Sequence, residues 1–240
     1  MARPPRKVLT GLAVTAIAAT GAASAPLAHA RKAAVRPSQE LAVLLKAHRV
    51  FSTLRPRPSR VGTVGGSRPV TGAQTVLPVL GQTTRRGVRW LRVRVPGRPN
   101  GRRGWIARRG TRLTRTSWHI VVRTSSRRVL VYRRGRRVRS FAAIVGKPST
   151  PTPHGRFFVE ESVRMPPGSP GAPFALALSA RSNVLQEFAG GPGQIAMHGV
   201  ANIGGSPGTA VSHGCVRLTN RRIRWMAAHI GSGVPVTIRR

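Results

Sequence analysis

The chain has 240 residues, enough for one large domain or two smaller domains that each bury a core. Lys and Arg number 42 against 4 Asp and Glu, which gives a formal net charge of +38, and all four acids are glutamates. The single cysteine excludes an internal disulfide and a thiolate metal cluster, and the absence of Asp excludes an aspartate as the third member of a catalytic triad.

Residues 1–30 have the pattern of a secretory signal peptide. A short cationic head, MARPPRK, precedes an apolar stretch, and AHA at 28–30 is a small-x-small cleavage signal. The alternative is an uncleaved anchor, although the stretch is short for a membrane span, and no later segment approaches about 18 apolar residues. The sequence therefore predicts export, to the cell envelope or beyond it.

The cationic residues are spread along the chain rather than grouped in one block. Such a charge favours polyanionic partners, and nucleic acid is one candidate. Export instead places the protein beside wall polymers and lipid head groups, so we expect nonspecific attraction to an anionic cell envelope and no specific nucleic acid.

The region before residue 116 divides into two predicted parts. Residues 31–67 contain ELAVLLKAHRVF, which could form a short helix, followed by a stretch rich in Pro, Gly, Ser and Arg that is typical of a linker. Residues 68–115 contain short β-like pieces, and the alternation of Leu91, Val93 and Val95 with arginines predicts a half-buried strand. This segment is predicted to be a small β-barrel module, and it resembles the Src-homology-like barrels of bacterial envelope proteins.

Residues 117–240 have the pattern of a second β-rich domain. WHIVVR and RVLVYR predict a hairpin, RVRSFAAIVG a third strand, RFFVEE another, and VPVTIR a closing strand. GKPSTPTPHG, from 146 to 155, predicts a shaped loop. Ile223, Met226, Ala227 and Ile230 have helical spacing, so an amphipathic helix capped by Thr219 or Asn220 is expected. The fold class is mainly β, a mixed α+β fold with one helix near the C-terminus.

Cys215 in SHGC is the residue on which the functional argument depends. A lone cysteine is more often a small core residue than a catalyst. In an exported chain, however, an unpaired cysteine indicates intermolecular pairing or a reactive thiol. His213 and Gly214 precede it, and successive backbone N–H groups around Gly214 can converge on an oxyanion. His198, in AMHGV, is the second candidate base.

No metal or cofactor site is predicted. The histidines lack the spacing of a metal-binding motif such as H-E-x-x-H, and no glycine-rich phosphate loop is present. The expected chemistry therefore depends on side chains alone.

The motifs HG at 198–199, SHGCVRL at 212–218 and GKPSTPTPHGRF at 146–157 together resemble the L,D-transpeptidase family, whose catalytic domain is called the YkuD type. The resemblance covers 117–240 and implies a YkuD-like β-sandwich. It implies that Cys215 is the nucleophile, that His198 is the general base, and that the Gly199 carbonyl orients the imidazole.

The resemblance implies roles for the rest of the motif as well. His213 would support the loop and its electrostatics, and the amides of Gly214 and Cys215 would form the oxyanion hole. Ser212, Gly214 and Arg217 are expected to contact substrate, with Arg217 pairing with a carboxylate.

The implied substrate is the tetrapeptide stem of peptidoglycan. The thiolate would attack the carbonyl of the third residue, release D-alanine and pass the acyl group to an amine, which gives a 3→3 crosslink; carbapenems are expected to inhibit. Three alternatives stay open: an L,D-carboxypeptidase that hydrolyses the same thioester, a noncatalytic envelope-binding protein, and a secreted nucleic-acid binder, which the scarcity of aromatic residues disfavours.

Overall fold

The computed structural model describes residues 1–2, 35–55, 59–187 and 191–240. The predicted signal peptide at 1–30 lies outside the described residues, apart from the first two. The described residues from 35 onward belong to one compact unit. In that part of the chain the only helix has ten residues, too few to span a bilayer.

The first half of the described chain forms a seven-stranded sheet, here called the N-terminal sheet. Every strand pair in it is antiparallel, and the order is β3-β2-β6-β5-β4-β1-β7. Its strands are β1 (Gln39–Leu44), β2 (His48–Phe51), β3 (Arg60–Val64), β4 (Val76–Arg85), β5 (Val88–Arg94), β6 (Arg103–Ala107) and β7 (Thr111–Thr116).

The alternation predicted for β5 is confirmed at Leu91 and Val93, which are buried in the core of this sheet. The short helix predicted within 31–67 is wrong, because its residues form β1 and β2. The apolar residues of ELAVLL are consecutive rather than spaced with a helical period, so the pattern does not favour a helix over a strand. Strand β1 pairs with β4 on one side and β7 on the other, and this pairing satisfies its backbone hydrogen bonds. The sheet therefore begins at Gln39, before the module boundary predicted at residue 68.

The second half forms an eight-stranded mixed sheet, here called the catalytic sheet, in the order β10-β9-β8-β17-β12-β13-β14-β16, and a two-stranded sheet of β11 and β15. The strands are β8 (Trp118–Arg123), β9 (Arg128–Arg133), β10 (Arg136–Ala142), β11 (Val145–Gly146), β12 (Gly155–Arg164), β13 (Phe174–Arg181), β14 (Gln194–His198), β15 (Ala210–Ser212), β16 (Val216–Arg217) and β17 (Pro235–Arg239).

Strand β12 joins the two halves of the catalytic sheet. Its first four residues pair with β17 and its later residues with β13, and side chains from both ends of the sheet enclose one core. This arrangement, with α1 (Asn220–His229) packed on the same core through Ile223 and Met226, confirms the mainly β fold class with one C-terminal helix. Thr219 is the N-cap residue but makes no side-chain capping bond.

Strand β12 also lies between the two sheets and contributes side chains to both of their cores. Phe157 packs in the core of the catalytic sheet, whereas Phe158 packs in the core of the N-terminal sheet. The next residue pair, Glu160 and Glu161, is buried on this strand; Arg68 forms an ion pair with Glu160 and lies 3.9 Å from Glu161. Arg181 donates to Glu160 at 3.2 Å, so one buried carboxylate lies between two guanidinium groups.

A second contact between the sheets involves the turn at 98–101. Arg98 donates three hydrogen bonds to backbone carbonyls of the segment after β13, at Ser182, Leu185 and Pro192, over 2.8 to 3.0 Å. Asn100 exchanges bonds with the backbone of Arg181 at 2.7 and 2.8 Å. The N-terminal sheet is therefore fastened to the catalytic sheet by apolar packing, buried charge and backbone hydrogen bonds.

Candidate active site

Parallel pairing of β14 with β16 brings the two predicted catalytic residues together. Met197 lies opposite Val216, and His198 lies opposite Arg217. The same register places Cys215 beside Ala196, whose backbone N–H donates to the cysteine Sγ at 3.4 Å. The residues from 199 to 214 form the connection between these strands, as parallel pairing requires.

Alternation along the strands puts His198 and Cys215 on the same face. In β14, Ile195 and Met197 are buried in the core, whereas Ala196 and His198 are half-buried on the opposite face. Cys215 is half-buried too, and it precedes the buried Val216. The thiol and the imidazole are thus diagonal neighbours on the face turned away from the core.

The tautomer of His198 is fixed by its neighbour. The Nδ1 atom lies 2.8 Å from the Gly199 carbonyl oxygen, which can only accept, so Nδ1 carries the proton and Nε2 presents a lone pair. This is the orienting role that the resemblance implied for Gly199. Burial lowers the pKa of His198 below its usual 6.5, the Gly199 hydrogen bond opposes that shift, and the positive charge of Arg217 adds to it.

The environment of the Cys215 thiol favours its protonated form. Burial raises its pKa, while the Ala196 N–H and the positive charge of Arg217 partly oppose that rise. Both shifts favour the neutral forms, a thiol near a neutral imidazole, over a preformed thiolate and imidazolium. A neutral imidazole can accept a proton from a thiol, and the positive charge of Arg217 favours the thiolate.

The loop that carries the cysteine is held by the hydroxyl of Ser212. This oxygen donates to the Cys215 carbonyl at 2.6 Å and accepts from the Gly214 N–H at 3.2 Å. Ser212 has a relative exposure of 0%. The side chain of Ser212 therefore positions the loop, and the substrate contact expected for Ser212 stays a prediction.

Gly214 makes the sharp turn before the nucleophile possible. Its φ of +114° lies in the region that favours glycine, and a side chain at this position would press on Ile195. The Gly214 amide donates to Ser212, so the oxyanion role expected for that amide stays a prediction.

His213 and Arg217 lie two residues before and two residues after Cys215 in the chain. Arg217 donates to the Gly204 carbonyl at 2.6 Å and so holds the connection between β14 and β16. The side chain of His213 is exposed. A substrate contact by Arg217 and support of the site by His213 stay predictions.

Two residues of the site were missed by sequence reasoning. Thr152, buried in the 146–155 loop, donates to the Gly214 carbonyl at 2.8 Å and accepts from the Gly146 N–H at 2.9 Å. Asn220, at the start of α1, accepts from the Val200 N–H at 3.0 Å. The position of Thr152 between two prolines was a sequence signal for a hydroxyl that holds the loop, whereas the sequence around Asn220 indicates only a helix cap.

The segment 165–173, between β12 and β13, covers the histidine side of the site. Gly171 accepts a hydrogen bond from the Gly199 N–H at 2.7 Å, and a Cβ on Gly171 would lie 2.6 Å from the His198 Nδ1. A cavity of about 290 Å³ adjoins this segment, with Arg164 and Arg224 among its lining residues. The segment is thus in contact with the base and borders a space of side-chain size.

Comparison with known proteins agrees with this geometry. Residues 117–238 match the YkuD family, described as the L,D-transpeptidase catalytic domain. Proteins named as the L,D-transpeptidase YkuD in Bacillus licheniformis and Bacillus subtilis are 33% and 31% identical over 122 and 123 residues. These alignments cover 50% and 51% of this chain and 65% and 66% of the relatives, a little under two thirds of their length.

Solved structures of L,D-transpeptidases are similar at lower identity. The LD transpeptidase LdtMt1 in complex with imipenem is 21% identical, with a TM-score of 0.43 over 69% of this chain and 91% of that one. The L,D-transpeptidase from Mycobacterium smegmatis is 19% identical, with a TM-score of 0.41 over 80% and 98% of the two chains. Because the family match spans half of the chain, the protein belongs to the YkuD family of L,D-transpeptidase catalytic domains.

Proposed function

We propose that the protein is a cysteine acyltransferase that acts on peptidoglycan stem tetrapeptides. The observation that carries the proposal is the placement of the Cys215 thiol beside His198 on paired strands, with the imidazole held by the Gly199 carbonyl. A nucleophile, a base and an orienting acceptor are the groups that acyl transfer through a thioester needs.

In the first half-reaction, Cys215 Sγ attacks the carbonyl carbon of the third stem residue while its proton passes to His198 Nε2. The C–N bond to D-alanine breaks, and the imidazolium returns the proton to the departing amine. In the second half-reaction an amine of another stem attacks the thioester, gives its proton to His198 and forms the 3→3 amide as the C–S bond breaks; the imidazolium then returns this proton to the Cys215 thiolate. Arg217 stabilises the thiolate in both steps.

Capture of the thioester by water would make the enzyme an L,D-carboxypeptidase. Incubation of the full-length protein with purified disaccharide tetrapeptide, followed by mass spectrometry, separates these outcomes. A dimer with loss of D-alanine supports transpeptidation, and a tripeptide supports hydrolysis. Unchanged substrate would contradict the enzyme and favour a noncatalytic envelope-binding protein.

Inhibition by carbapenems is part of the same proposal, since a thiolate nucleophile opens a β-lactam ring and keeps the acyl group. One similar structure holds imipenem, and another, the L,D-transpeptidase 3 from Mycobacterium tuberculosis, holds a faropenem-derived adduct. An added mass equal to imipenem on the intact protein, which is lost in Cys215→Ala, is the expected result.

We place this activity in the cell envelope. The pattern of residues 1–30 supports export, and the net charge of +38 supports attraction to anionic envelope polymers. The N-terminal sheet is proposed to be a Src-homology-like module that spaces the catalytic domain from its surroundings. Detection of the mature chain in the envelope fraction tests the location.

A further inference from the structure

A cavity of about 450 Å³ lies on the N-terminal sheet and shares no residue with the site around Cys215. The residues that line it and matter here are Arg55, Thr83, Arg85, Arg92 and Trp105. Thr83 and Arg85 are two residues apart on β4, and Arg92 on β5 lies opposite Trp105 on β6. These side chains therefore share one face of three adjacent strands.

The opposite face of the same strands is the core. Leu91, Val93 and Ile106, which alternate with the cavity residues, are all fully buried. The cavity is thus on the outer face of a well-packed sheet, where its shape is set by strands rather than by a loop alone.

The charges in this cavity have no protein counter-charge. Arg55, Arg85 and Arg92 are exposed, and across residues 35–55, 59–187 and 191–240 none of their guanidinium groups has an ion pair or a hydrogen bond to the protein. The Arg92 guanidinium lies over the Trp105 ring, 6.0 Å from its centroid. Three guanidinium groups around one cavity repel each other, and an anion between them removes that cost.

Guanidinium groups bind phosphate through paired hydrogen bonds, and the Thr83 hydroxyl adds a donor. The half-buried indole of Trp105 offers an apolar surface that a bare phosphate does not use but a carbon backbone does. We propose that this cavity binds a poly(polyol phosphate), a phosphodiester polymer whose phosphates are linked by polyol units and which carries no bases. The phosphates lie on the arginines, and the carbon units pack on Trp105.

The test measures binding of full-length protein to poly(glycerol phosphate) by titration calorimetry at physiological salt. Arg85→Gln/Arg92→Gln is compared with Arg112→Gln/Arg115→Gln, two exposed arginines of β7 in the same sheet, so that the change in net charge is equal. Loss of charged hydrogen bonds should weaken binding about tenfold or more in the first variant. The second should change it by about twofold or less, because screened charges contribute little.

Equal weakening in both variants would overturn the proposal, since it would mean that net charge alone holds the polymer. Inorganic polyphosphate and a single-stranded DNA oligonucleotide are titrated beside the polymer. Tighter binding of poly(glycerol phosphate) than of polyphosphate supports packing on Trp105; equal or tighter binding of polyphosphate or of DNA overturns the assigned ligand class.

The proposal is independent of the catalytic one. Both double variants should convert disaccharide tetrapeptide at the wild-type rate, because none of these arginines lies in the active site. Failure of tetrapeptide conversion in every form would contradict the proposed enzyme and leave the polymer binding standing, whereas normal conversion without polymer binding would contradict only this inference.

Discussion

The two sheets differ in the exposure of their polar groups. The N-terminal sheet is antiparallel throughout and exposes charged arginines that its own residues do not neutralise. The catalytic sheet places Cys215 and His198 at a parallel strand pair, where burial raises the pKa of the thiol and lowers that of the imidazole. Anion binding by the exposed arginines should therefore depend strongly on salt concentration, whereas activity at Cys215 and His198 should depend on pH.

The strongest test of this division is Cys215→Ala. Removing the thiol leaves the strand pairing intact and removes the nucleophile, so tetrapeptide conversion should fall by on the order of 10⁴-fold. The rate is measured by chromatography of the muropeptide products. Binding of poly(glycerol phosphate) to this variant should be unchanged, and a coupled loss would break the separation of the two sheets.

His198→Gln should lower the rate by about 10²- to 10⁴-fold, because the thiol then loses its base. His119→Gln is the matched control: His119 belongs to the same domain, bonds to Thr237 at 2.9 Å and lies outside the site. Similar rate losses in both variants would show that the effect is structural.

The acid limb of the pH–rate profile tests whether activity depends on pH rather than on salt. Burial lowers the pKa of His198 below 6.5, and the base works only when neutral, so kcat/KM should stay level through neutral pH and fall only below about 6.5. Added salt should change this profile little. A fall that begins above pH 6.5 would contradict a buried neutral imidazole.

Glu160→Gln tests the buried charge network between the two sheets. Glu160 is 1% exposed between Arg68 and Arg181; its loss would leave Arg181 without an ionic partner and Arg68 with only Glu161 at 3.9 Å, at a cost of about 3–5 kcal/mol in the free energy of unfolding. Denaturant unfolding of this variant is compared with Glu187→Gln, the same charge change at an exposed site. Equal stability of the two variants would contradict the buried network.

The smallest effect is expected for Thr152→Val. Its hydroxyl joins the Gly146 N–H to the Gly214 carbonyl, so the loss of both bonds should lower stability by about 1–3 kcal/mol. Thr152→Ser keeps the hydroxyl and should restore most of that stability and of kcat. No rescue by serine would show that the threonine methyl, not the hydrogen bonds, holds the loop.

Periodicity predicted the elements whose two faces differ. β5 and α1 each have one buried face and one exposed face, and both lie where the sequence indicated. β1 was predicted as a helix, because a strand paired and covered on both sides loses its alternation. β12 was predicted as a strand, but its sequence does not show that Phe157 and Phe158 enter different cores. The buried glutamates after them have no local signal at all.

The sequence predicted the motif residues of the site but not the distant residues whose hydrogen bonds hold them in place. Cys215 and His198 come from short segments whose residue types indicate thiol chemistry, and the orienting role of Gly199 was implied by the family resemblance. Thr152 reaches the nucleophile loop across 62 residues of chain, and Asn220 reaches Val200 across 20, so only the folded backbone brings them together. The buried state of Ser212 likewise depends on this packing.

The three bonds from Arg98 to the segment after β13 have a mechanical consequence. Moving the two sheets apart would leave three carbonyls and a guanidinium without partners, so the pair should rotate as a single rigid body rather than bend at a hinge. A polymer strand seated on one sheet would then keep a fixed distance and direction from the thiol. Under the two proposals above, this fixed distance would determine which stem peptides near a bound polymer Cys215 can reach.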